Sequence, residues 1–361
     1  MTYLSTLADR LDPYVAGEQP EGGGWIKLNT NESPYPPAPG VTAVLRSWEF
    51  LGEGGANLRL YPDPSANALR DALARLHNVS RENVFIGNGS DEVLSFAFAA
   101  FFAGLRYATP EIGYSFYPSY ARLFGAETQL VPMLDGMAVN VDGLIAAEAP
   151  VILANPNAPT SVAVPRSDIL RMREVLHSHG DPLVVDEAYG AFSDCSVIGD
   201  AIGYDNLLVI RTFSKAYALA GMRVGYAIGA ADLIAGLERA RDSFNSYPVD
   251  RVAQAAALAA VQDTPYMESC VRRIAATRDA VRLALIELGF EAPPSQTNFL
   301  FVRHSNIHGR ELYERLRERH ILARHFNKPK IEDYLRITVG TDEQMSALVD
   351  VLRDILTEHR S

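Results

Sequence analysis

The sequence is poor in cysteine, in long apolar runs and in positive charge, and each shortage excludes a class of protein. Its 361 residues include only Cys195 and Cys270, which is too few for a disulfide framework and favours a reducing compartment. The longest apolar run, 93–103, is interrupted by Ser95 and is too short to span a bilayer. Acidic residues outnumber basic ones by 44 to 33, and the net charge of −11 argues against nucleic acid or an anionic membrane as a partner.

Several signatures of common enzyme classes are also missing from the sequence. There is no HExxH, Walker A or GxSxG motif, and we predict no metal site. The first ten residues have neither the basic segment nor the apolar segment of a secretory signal, so we expect a cytoplasmic protein. Gly87-Asn-Gly89 gives slight support to a dinucleotide-binding oxidoreductase, but Glu92 stands where that fingerprint needs its third glycine.

Short apolar strands alternate with amphipathic helices up to Gly229, which is typical of an α/β fold. The strands are predicted at 84–87, 106–109, 151–154, 183–185, 207–210 and 224–228, with helices at 65–78, 93–103 and 167–179. Long helices follow, and then a strand–helix–strand–helix pattern that ends near residue 357. The change of pattern near residues 240–265 predicts a domain boundary there. Residues 12–40 are rich in Pro and Gly and form a predicted extended arm.

One lysine, Lys215, lies between two predicted buried strands, 207–210 and 224–228. Burial of an ammonium group is costly and lowers its pKa, which leaves some neutral amine at pH 7. A neutral amine forms a Schiff base with an aldehyde. A snorkelling or salt-bridged lysine on a loop is the alternative interpretation of the same pattern.

Polar residues follow several of the predicted strands, at the sheet edge where α/β proteins bind ligands. The turn Asn88-Gly-Ser-Asp-Glu92 precedes a helix whose first amides suit a phosphate, although Ser90 could be only a helix cap. Asp186 ends a strand and is either a cap or a ligand to a cofactor nitrogen. Three aromatic residues at 114, 116 and 117 could pack in the core or stack on a planar ring.

These motifs appear in an order and spacing that resemble the fold-type I pyridoxal-phosphate aminotransferases. The resemblance runs from Asp12-Pro-Tyr14 and Leu28-Asn-Thr-Asn-Glu32 through Arg336. Within the family it is strongest to the histidinol-phosphate aminotransferases. It implies an α/β fold with a large domain, whose central sheet is mostly parallel with helices on both faces, and a smaller α+β C-terminal domain. It further implies an N-terminal arm at 1–33 that packs with the small domain, a large cofactor-binding domain at 34–245 and a small domain at 246–361.

The resemblance also implies transamination of histidinol phosphate with 2-oxoglutarate or glutamate, a step of histidine biosynthesis. Lys215 would hold pyridoxal phosphate, Asp186 would pair with the ring nitrogen, and Tyr189 would bind the phenolic oxygen. Further cofactor contacts are implied for Ser90, Asp91, Tyr114, Thr212, Ser214 and Arg223. Tyr61 would reach the phosphate of a neighbouring subunit in a homodimer. Substrate contacts are implied for Tyr14, Arg324 and Arg336, although Arg324 could be only a surface charge.

One position departs from the family pattern. The family has an asparagine directly before Pro-Thr-Gly, where it binds the phenolic oxygen of the cofactor, but this sequence has Ala158 before Pro-Thr-Ser161. Asn157 or Asn155 could supply the amide instead, and we expect Asn157. If neither does, Tyr189 makes that contact alone and the pKa of the linkage between the cofactor and Lys215 should shift.

Three alternative functions remain open at the level of the sequence. An aromatic amino-acid aminotransferase and a decarboxylase of a phosphorylated amino acid belong to the same family and have overlapping anion contacts. A non-catalytic binding or regulatory protein of the same fold is the alternative from another class. Such regulators usually carry a DNA-binding segment, and neither end of this acidic chain offers one.

Overall fold

The computed structural model describes residues 3–11, 17–47 and 49–359 of the chain. The α-helices in these ranges are α1 (Thr6–Arg10), α2 (Pro39–Ser47), α3 (Asn67–His77), α4 (Gly89–Phe101), α5 (Tyr117–Phe124), α6 (Val141–Ile145), α7 (Arg166–His179), α8 (Ala231–Asp242), α9 (Arg251–Gln262), α10 (Thr264–Glu287), α11 (Gly309–Glu318) and α12 (Asp342–His359). The strands are β1 (Ile26–Lys27), β2 (Val84–Gly87), β3 (Arg106–Pro110), β4 (Glu127–Val131), β5 (Val151–Ala154), β6 (Leu183–Asp186), β7 (Leu207–Thr212), β8 (Gly225–Gly229), β9 (Phe290–Glu291), β10 (Phe299–His304), β11 (Ile321–Leu322), β12 (Arg324–His325) and β13 (Leu335–Thr338).

A seven-stranded sheet in the order β2-β8-β7-β6-β5-β3-β4 forms the centre of the larger part of the molecule. Strands β7, β6, β5, β3 and β4 run parallel to one another, and only β8 is antiparallel to both of its neighbours. This arrangement confirms the predicted α/β fold with a mostly parallel central sheet.

Successive residues of the central strands pack into two different cores, one on each face of the sheet. In β6, Leu183 and Val185 contribute to the core that holds α3, α7 and α9, whereas Val184 contributes to the core that holds α4, α5 and α8. Because helices cover both faces, these strands are apolar throughout and do not alternate between apolar and polar residues. The buried sheet gives rigid support to whatever lies at the ends of its strands.

The observed first residues of helices α3 and α4 differ from those predicted from the sequence. Helix α3 was predicted from residue 65 but begins at Asn67, after a turn in which the carboxylate of Asp63 accepts the backbone N–H groups of Ser65 at 3.0 Å and of Asn67 at 2.8 Å. Helix α4 begins at Gly89 and not at Val93, because the polar segment 89–92 forms its first turn, where acidic side chains suit the helix dipole. Ser90 therefore lies inside the helix and close to its N-terminus.

Strand β4 and helix α5 were not predicted from the sequence. The residues of β4, Glu-Thr-Gln-Leu-Val, are mostly polar and only the last is buried, because β4 is the edge strand of the sheet. An edge strand that is partly exposed on both faces lacks the apolar run by which the central strands were found.

A second sheet, in the antiparallel order β12-β13-β10-β9, packs with α10, α11 and α12 around a separate core. Strand β1 of the N-terminal arm pairs in parallel with β11, and Leu28 of the arm is buried in that core.

The predicted domain boundaries stay a prediction. Helix α9 lies beyond the predicted boundary at 245, yet small residues such as Ala253 and Ala256 belong to the core on one face of the large sheet. Within the described ranges, no helix combines the length and apolar character that a bilayer span requires.

Candidate active site

A cavity of about 260 Å³ opens at the carboxyl ends of three neighbouring parallel strands of the large sheet. The last residues of β5, β6 and β7 are Ala154, Asp186 and Thr212, and all three line it. Parallel strands that end at one edge bring together side chains that are far apart in sequence, which is why α/β proteins bind ligands at this edge. The same cavity is lined by Asn29 to Glu32 of the arm and by Arg324 and Arg336 of the second sheet.

Lys215 lies in the connection between β7 and β8 and faces this cavity. Its Nζ donates a hydrogen bond to the backbone carbonyl of Thr30 at 3.1 Å. Although the side chain is partly exposed to the cavity, the surrounding protein desolvates the ammonium and lowers the pKa of Lys215 to about 8. The positive charges of Arg336 and Arg223 lower this pKa further, whereas Glu32 and Asp91 oppose the shift. The lysine is therefore partly neutral near pH 7, as the sequence predicted.

Asp186 is buried, with 4% of its surface exposed. Burial raises the pKa of Asp186 to about 7, against the lowering effect of two hydrogen bonds. Its carboxylate accepts the hydroxyl of Tyr117 at 3.0 Å and the backbone N–H of Ala188 at 3.1 Å. A buried carboxylate with a raised pKa favours a cationic partner. The contact from Tyr117 was missed in the sequence, where this residue was only one of three neighbouring aromatic residues.

The N-terminus of α4 forms another wall of the cavity, together with Arg223. The Arg223 guanidinium is 3.1 Å from the carboxylate of Asp91 and 3.4 Å from the hydroxyl of Ser214. The hydroxyl of Tyr114 donates to the other carboxylate oxygen of Asp91 at 2.8 Å. Ser90 also lines the cavity beside these residues. The structure thus brings together Ser90, Asp91, Tyr114, Ser214 and Arg223, for which the resemblance implied cofactor contacts.

Two glycines make this close approach possible. Gly89 has a φ of +82°, and a Cβ there would lie 2.6 Å from the Arg223 guanidinium. A Cβ on Gly225 would lie 2.3 Å from the backbone nitrogen of Ser90. Any side chain at either position would displace the arginine or the start of α4, so glycine is required at both.

Tyr189, three residues beyond the end of β6, also lines the cavity. Its hydroxyl accepts a hydrogen bond from the Asn31 side-chain amide at 2.7 Å. Asn31 was not singled out in the sequence. It belongs to Leu28-Asn-Thr-Asn-Glu32, a segment that carries the family resemblance, but no role was assigned to this asparagine.

The two asparagines considered as substitutes at Ala158 point elsewhere. The side-chain nitrogen of Asn157 donates to the carbonyl of Ile112 at 2.8 Å and to the hydroxyl of Thr160 at 2.9 Å. That of Asn155 donates to the carbonyls of Val164 and Cys195. Only Ala158 of this segment lines the cavity, so the geometry lends no support to the role predicted for Asn157.

Arg324 and Arg336 are brought side by side by the antiparallel pairing of β12 with β13, in which they are direct partners. Both line the cavity, and both also line a second cavity of about 350 Å³ that shares Tyr114 and Ala158 with the first. The guanidinium of Arg336 donates to the carbonyl of Asn29 at 2.9 Å. Two neighbouring guanidinium groups favour an anionic ligand at this end. Tyr14, the third predicted substrate contact, lies outside the described residues.

Comparison with known proteins identifies the family. The family model of class I and II aminotransferases matches residues 23–352. The chain belongs to this family. Among similar aminotransferases is histidinol-phosphate aminotransferase 1 of Bradyrhizobium diazoefficiens, which is 48% identical over 98% of this chain and 99% of the relative. The histidinol-phosphate aminotransferase of Chromohalobacter salexigens is also 48% identical, with the same shares covered.

Solved aminotransferase structures share the fold. The histidinol-phosphate aminotransferase from Sinorhizobium meliloti, solved in complex with pyridoxal-5′-phosphate, superposes with a TM-score of 0.86 at 28% identity and covers 98% of this aminotransferase and 99% of that chain. The Thermus thermophilus aspartate aminotransferase with maleate, at 19% identity, has a TM-score of 0.82 over 98% of this chain and 100% of its own. The fold is therefore kept where most of the sequence has changed.

Tyr61, like Asn157, is a predicted cofactor contact that lines neither cavity of this aminotransferase chain. It is 76% exposed, and its ring stacks on that of Tyr247 with 4.4 Å between centroids. Its backbone carbonyl accepts a hydrogen bond from Arg251 at 3.0 Å. The ring is thus fixed in place and turned toward solvent.

Proposed function

We propose that this aminotransferase transfers the amino group of histidinol phosphate to 2-oxoglutarate with pyridoxal phosphate as its cofactor. The observation that carries the proposal is the cavity itself, which a partly neutral Lys215 and a buried Asp186 share with the paired arginines 324 and 336. Two relatives that are 48% identical over nearly their full length are named histidinol-phosphate aminotransferases.

The residues present fit the cofactor. Several groups that can bind a phosphate line one wall of the cavity, next to Gly89 and Gly225. They are the first amides of α4, the Arg223 guanidinium and the hydroxyls of Ser214 and Thr212. Backbone N–H groups at a helix N-terminus together with an arginine are a favoured site for a phosphate dianion. We assign the phosphate of the cofactor to this wall, with Ser90 and Asp91 contributing their backbone amides.

Pyridoxal phosphate, when bound, supplies an aldehyde and a ring that accepts electrons. Lys215 would use its neutral Nζ to bind the aldehyde and then to move a proton between carbon atoms of the amino donor and the cofactor. Asp186 would hold the ring nitrogen in its cationic form, because a buried carboxylate is stabilised by a positive partner. Tyr189 would donate its hydroxyl proton to the phenolic oxygen, and the ring of Tyr114 would pack on the face of the cofactor.

Arg324 and Arg336 would bind the anionic group of the substrate in the same cavity. Histidinol phosphate has a phosphate but no carboxylate, whereas 2-oxoglutarate has carboxylates, so we assign Arg336 to the anionic group of either substrate and Arg324 to the phosphate. The neighbouring second cavity offers room for the rest of a substrate side chain. Tyr14 remains a predicted substrate contact.

Tyr61 and the predicted homodimer belong to the same proposal. An exposed, fixed aromatic side chain that its own cavity does not use fits a role in the active site of a second copy. In mixtures of Lys215→Ala and Tyr61→Ala chains, a shared site would restore one fully native cavity per mixed dimer, so activity should exceed that of either variant alone. The cytoplasmic location stays a prediction.

The proposal is tested on the purified protein incubated with pyridoxal phosphate. We expect a yellow protein in which borohydride fixes the cofactor to Lys215 and to none of the other three lysines, 27, 328 and 330. The enzyme should then transaminate histidinol phosphate in preference to phenylalanine and release no carbon dioxide. A clear preference for phenylalanine would assign an aromatic aminotransferase, carbon dioxide release would assign a decarboxylase, and a colourless protein would end the enzyme assignment.

A further inference from the structure

Asn31 connects the N-terminal arm to the candidate active site through a set of buried hydrogen bonds. Its side chain is 1% exposed, and its amide nitrogen lies 2.7 Å from the Tyr189 hydroxyl. Its backbone has a φ of +56°, in the left-handed region that asparagine adopts more readily than most residues. The side-chain amide of Asn298 donates to its backbone carbonyl at 3.0 Å. The position is thus fixed by contacts to the second sheet.

The orientation of the Asn31 amide is determined by Thr338. The Thr338 hydroxyl accepts the backbone N–H of Asn31 at 2.9 Å, and its own proton is donated to the side-chain oxygen of Asn31 at 3.1 Å. Because the amide oxygen faces this hydroxyl proton, the amide NH₂ group must face Tyr189. The asparagine is therefore a donor toward the Tyr189 hydroxyl and not an acceptor from it.

This donor determines what the tyrosine can do. A phenol that accepts a hydrogen bond from Asn31 cannot direct its own proton back at that donor. The hydroxyl proton is therefore directed away from Asn31, and the cavity that Tyr189 lines lies on another side of the hydroxyl. Hydrogen bonds in a chain also polarise one another, so the accepted bond makes the hydroxyl a better donor.

The sequence explains why such help is needed. Position 158, where the family has an amide for the phenolic oxygen of the cofactor, holds an alanine that belongs to the same buried cluster as Tyr189. The amides of Asn155 and Asn157 are bonded elsewhere. Tyr189 is then the group left to bind that oxygen.

We propose that Asn31 is a positioning residue for transamination, which holds the Tyr189 hydroxyl as a hydrogen-bond donor into the cavity and so compensates for the alanine at position 158. The inference rests on the role proposed above for Tyr189. Asn31 acts through the tyrosine and not on the reacting atoms.

The test measures the pH midpoint of the cofactor absorption band in the holoenzyme. A donor at the phenolic oxygen draws negative charge away from the adjacent linkage nitrogen, so loss of the donor raises the pKa of that nitrogen. We expect Tyr189→Phe to raise the midpoint most, and Asn31→Gly, which keeps the left-handed backbone, to raise it by roughly half to one pH unit, the scale of one neutral hydrogen bond. In the Tyr189→Phe background, Asn31→Gly should cause no further rise.

Two matched controls separate positioning from folding. Asn298→Ala removes a hydrogen bond to the Asn31 backbone but keeps the amide, and it should leave the midpoint unchanged. Thr338→Val removes the hydroxyl that orients the amide and should raise the midpoint, whereas Thr338→Ser keeps the hydroxyl and should not. The Thr338 pair gives the result even if Asn31→Gly does not fold.

An unchanged midpoint in Asn31→Gly and Thr338→Val, beside a shift in Tyr189→Phe, would overturn this inference alone. The inference would also be overturned if Asn31→Gly shifted the midpoint as much in the Tyr189→Phe background as in the wild type. A shift in Asn298→Ala as large as that in Asn31→Gly would overturn it too. A wild-type protein without a cofactor band would instead overturn the proposed function, and the inference with it.

Discussion

The two halves of the cavity are built in different ways. The cofactor half consists of Lys215, Asp186, Thr212, Ser90 and Arg223, which follow strands of the seven-stranded sheet or begin the helix after β2. The substrate half consists of Arg324, Arg336 and Asn29 of the arm, which are held together by the pairing of β12 with β13 and by the hydrogen bond from Arg336 to the Asn29 carbonyl. The cofactor half therefore rests on one rigid sheet, whereas the substrate half depends on segments that are more than 290 residues apart in sequence.

The difference indicates where function is robust. Strand ends of a doubly covered parallel sheet cannot shift without disturbing both cores of the large sheet. The substrate half can shift when only the arm or the two-residue strand β12 moves. Substitutions in the two halves should accordingly separate chemistry from substrate affinity.

The largest expected effect is that of Lys215→Ala. Removal of the amine takes away both the group that binds the aldehyde and the group that moves the proton, so turnover should fall by more than about 10³-fold. Steady-state transamination measures the loss, and circular dichroism should show an unchanged fold with non-covalently bound cofactor. Substantial turnover in Lys215→Ala would contradict the role given to this residue.

Leu28→Ala tests how far the substrate half depends on the arm. Leu28 is buried in the core of the second sheet, and a cavity in its place should cost about 2–5 kcal/mol in the free energy of unfolding. Because the adjacent residue Asn29 accepts a hydrogen bond from Arg336, KM for both substrates should rise more than the dissociation constant of pyridoxal phosphate. Leu283→Ala, at a residue that is 59% exposed, should stay within about 0.5 kcal/mol. Equal losses of cofactor and substrate affinity would remove the distinction between the halves.

The two arginines should differ from each other within the substrate half. Arg324→Ala should raise KM for histidinol phosphate about tenfold or more, the scale of one lost charge-assisted hydrogen bond, and should affect 2-oxoglutarate less. Arg336→Ala should raise KM for both substrates, because it is assigned to the carboxylate as well as the phosphate. Parallel kinetics with each substrate provide the measurement. Equal effects of Arg324→Ala on both would leave it without a specific role.

The smallest expected effect is a shift in the pH dependence with which the apoenzyme binds pyridoxal phosphate. Because burial lowers the pKa of Lys215 to about 8, the neutral fraction rises about tenfold per pH unit below pH 8 and levels off above it. The rate at which the apoenzyme binds pyridoxal phosphate, followed by visible absorbance between pH 6 and 10, should show a midpoint near pH 8. Removal of the positive charge in Arg336→Ala should move the midpoint upward. A rate that keeps rising to pH 10 would indicate an ordinary exposed lysine.

The sequence could predict most of the cofactor half because local patterns carry it. A lysine between two apolar strands, a carboxylate at a strand end and a glycine-containing turn before a helix each have a recognisable signature, and their order along the chain revealed the family. Elements without an apolar run, such as the edge strand β4, could not be predicted in the same way. The start of α4 was placed too late because polar residues in a first turn resemble a loop.

What the sequence by itself determined is the α/β fold, the aminotransferase family and the residue types needed for the chemistry, because hydrophobic periodicity and short motifs are local properties. Only the tertiary structure decided which groups meet. It brought Tyr117 to Asp186 and Asn31 to Tyr189, and it directed the amides of Asn155 and Asn157 away from the cavity. The physical reason is that a hydrogen bond between residues 158 positions apart, such as that of Asn31 with Tyr189, depends on how two sheets and an arm pack, and no pattern within either segment encodes it.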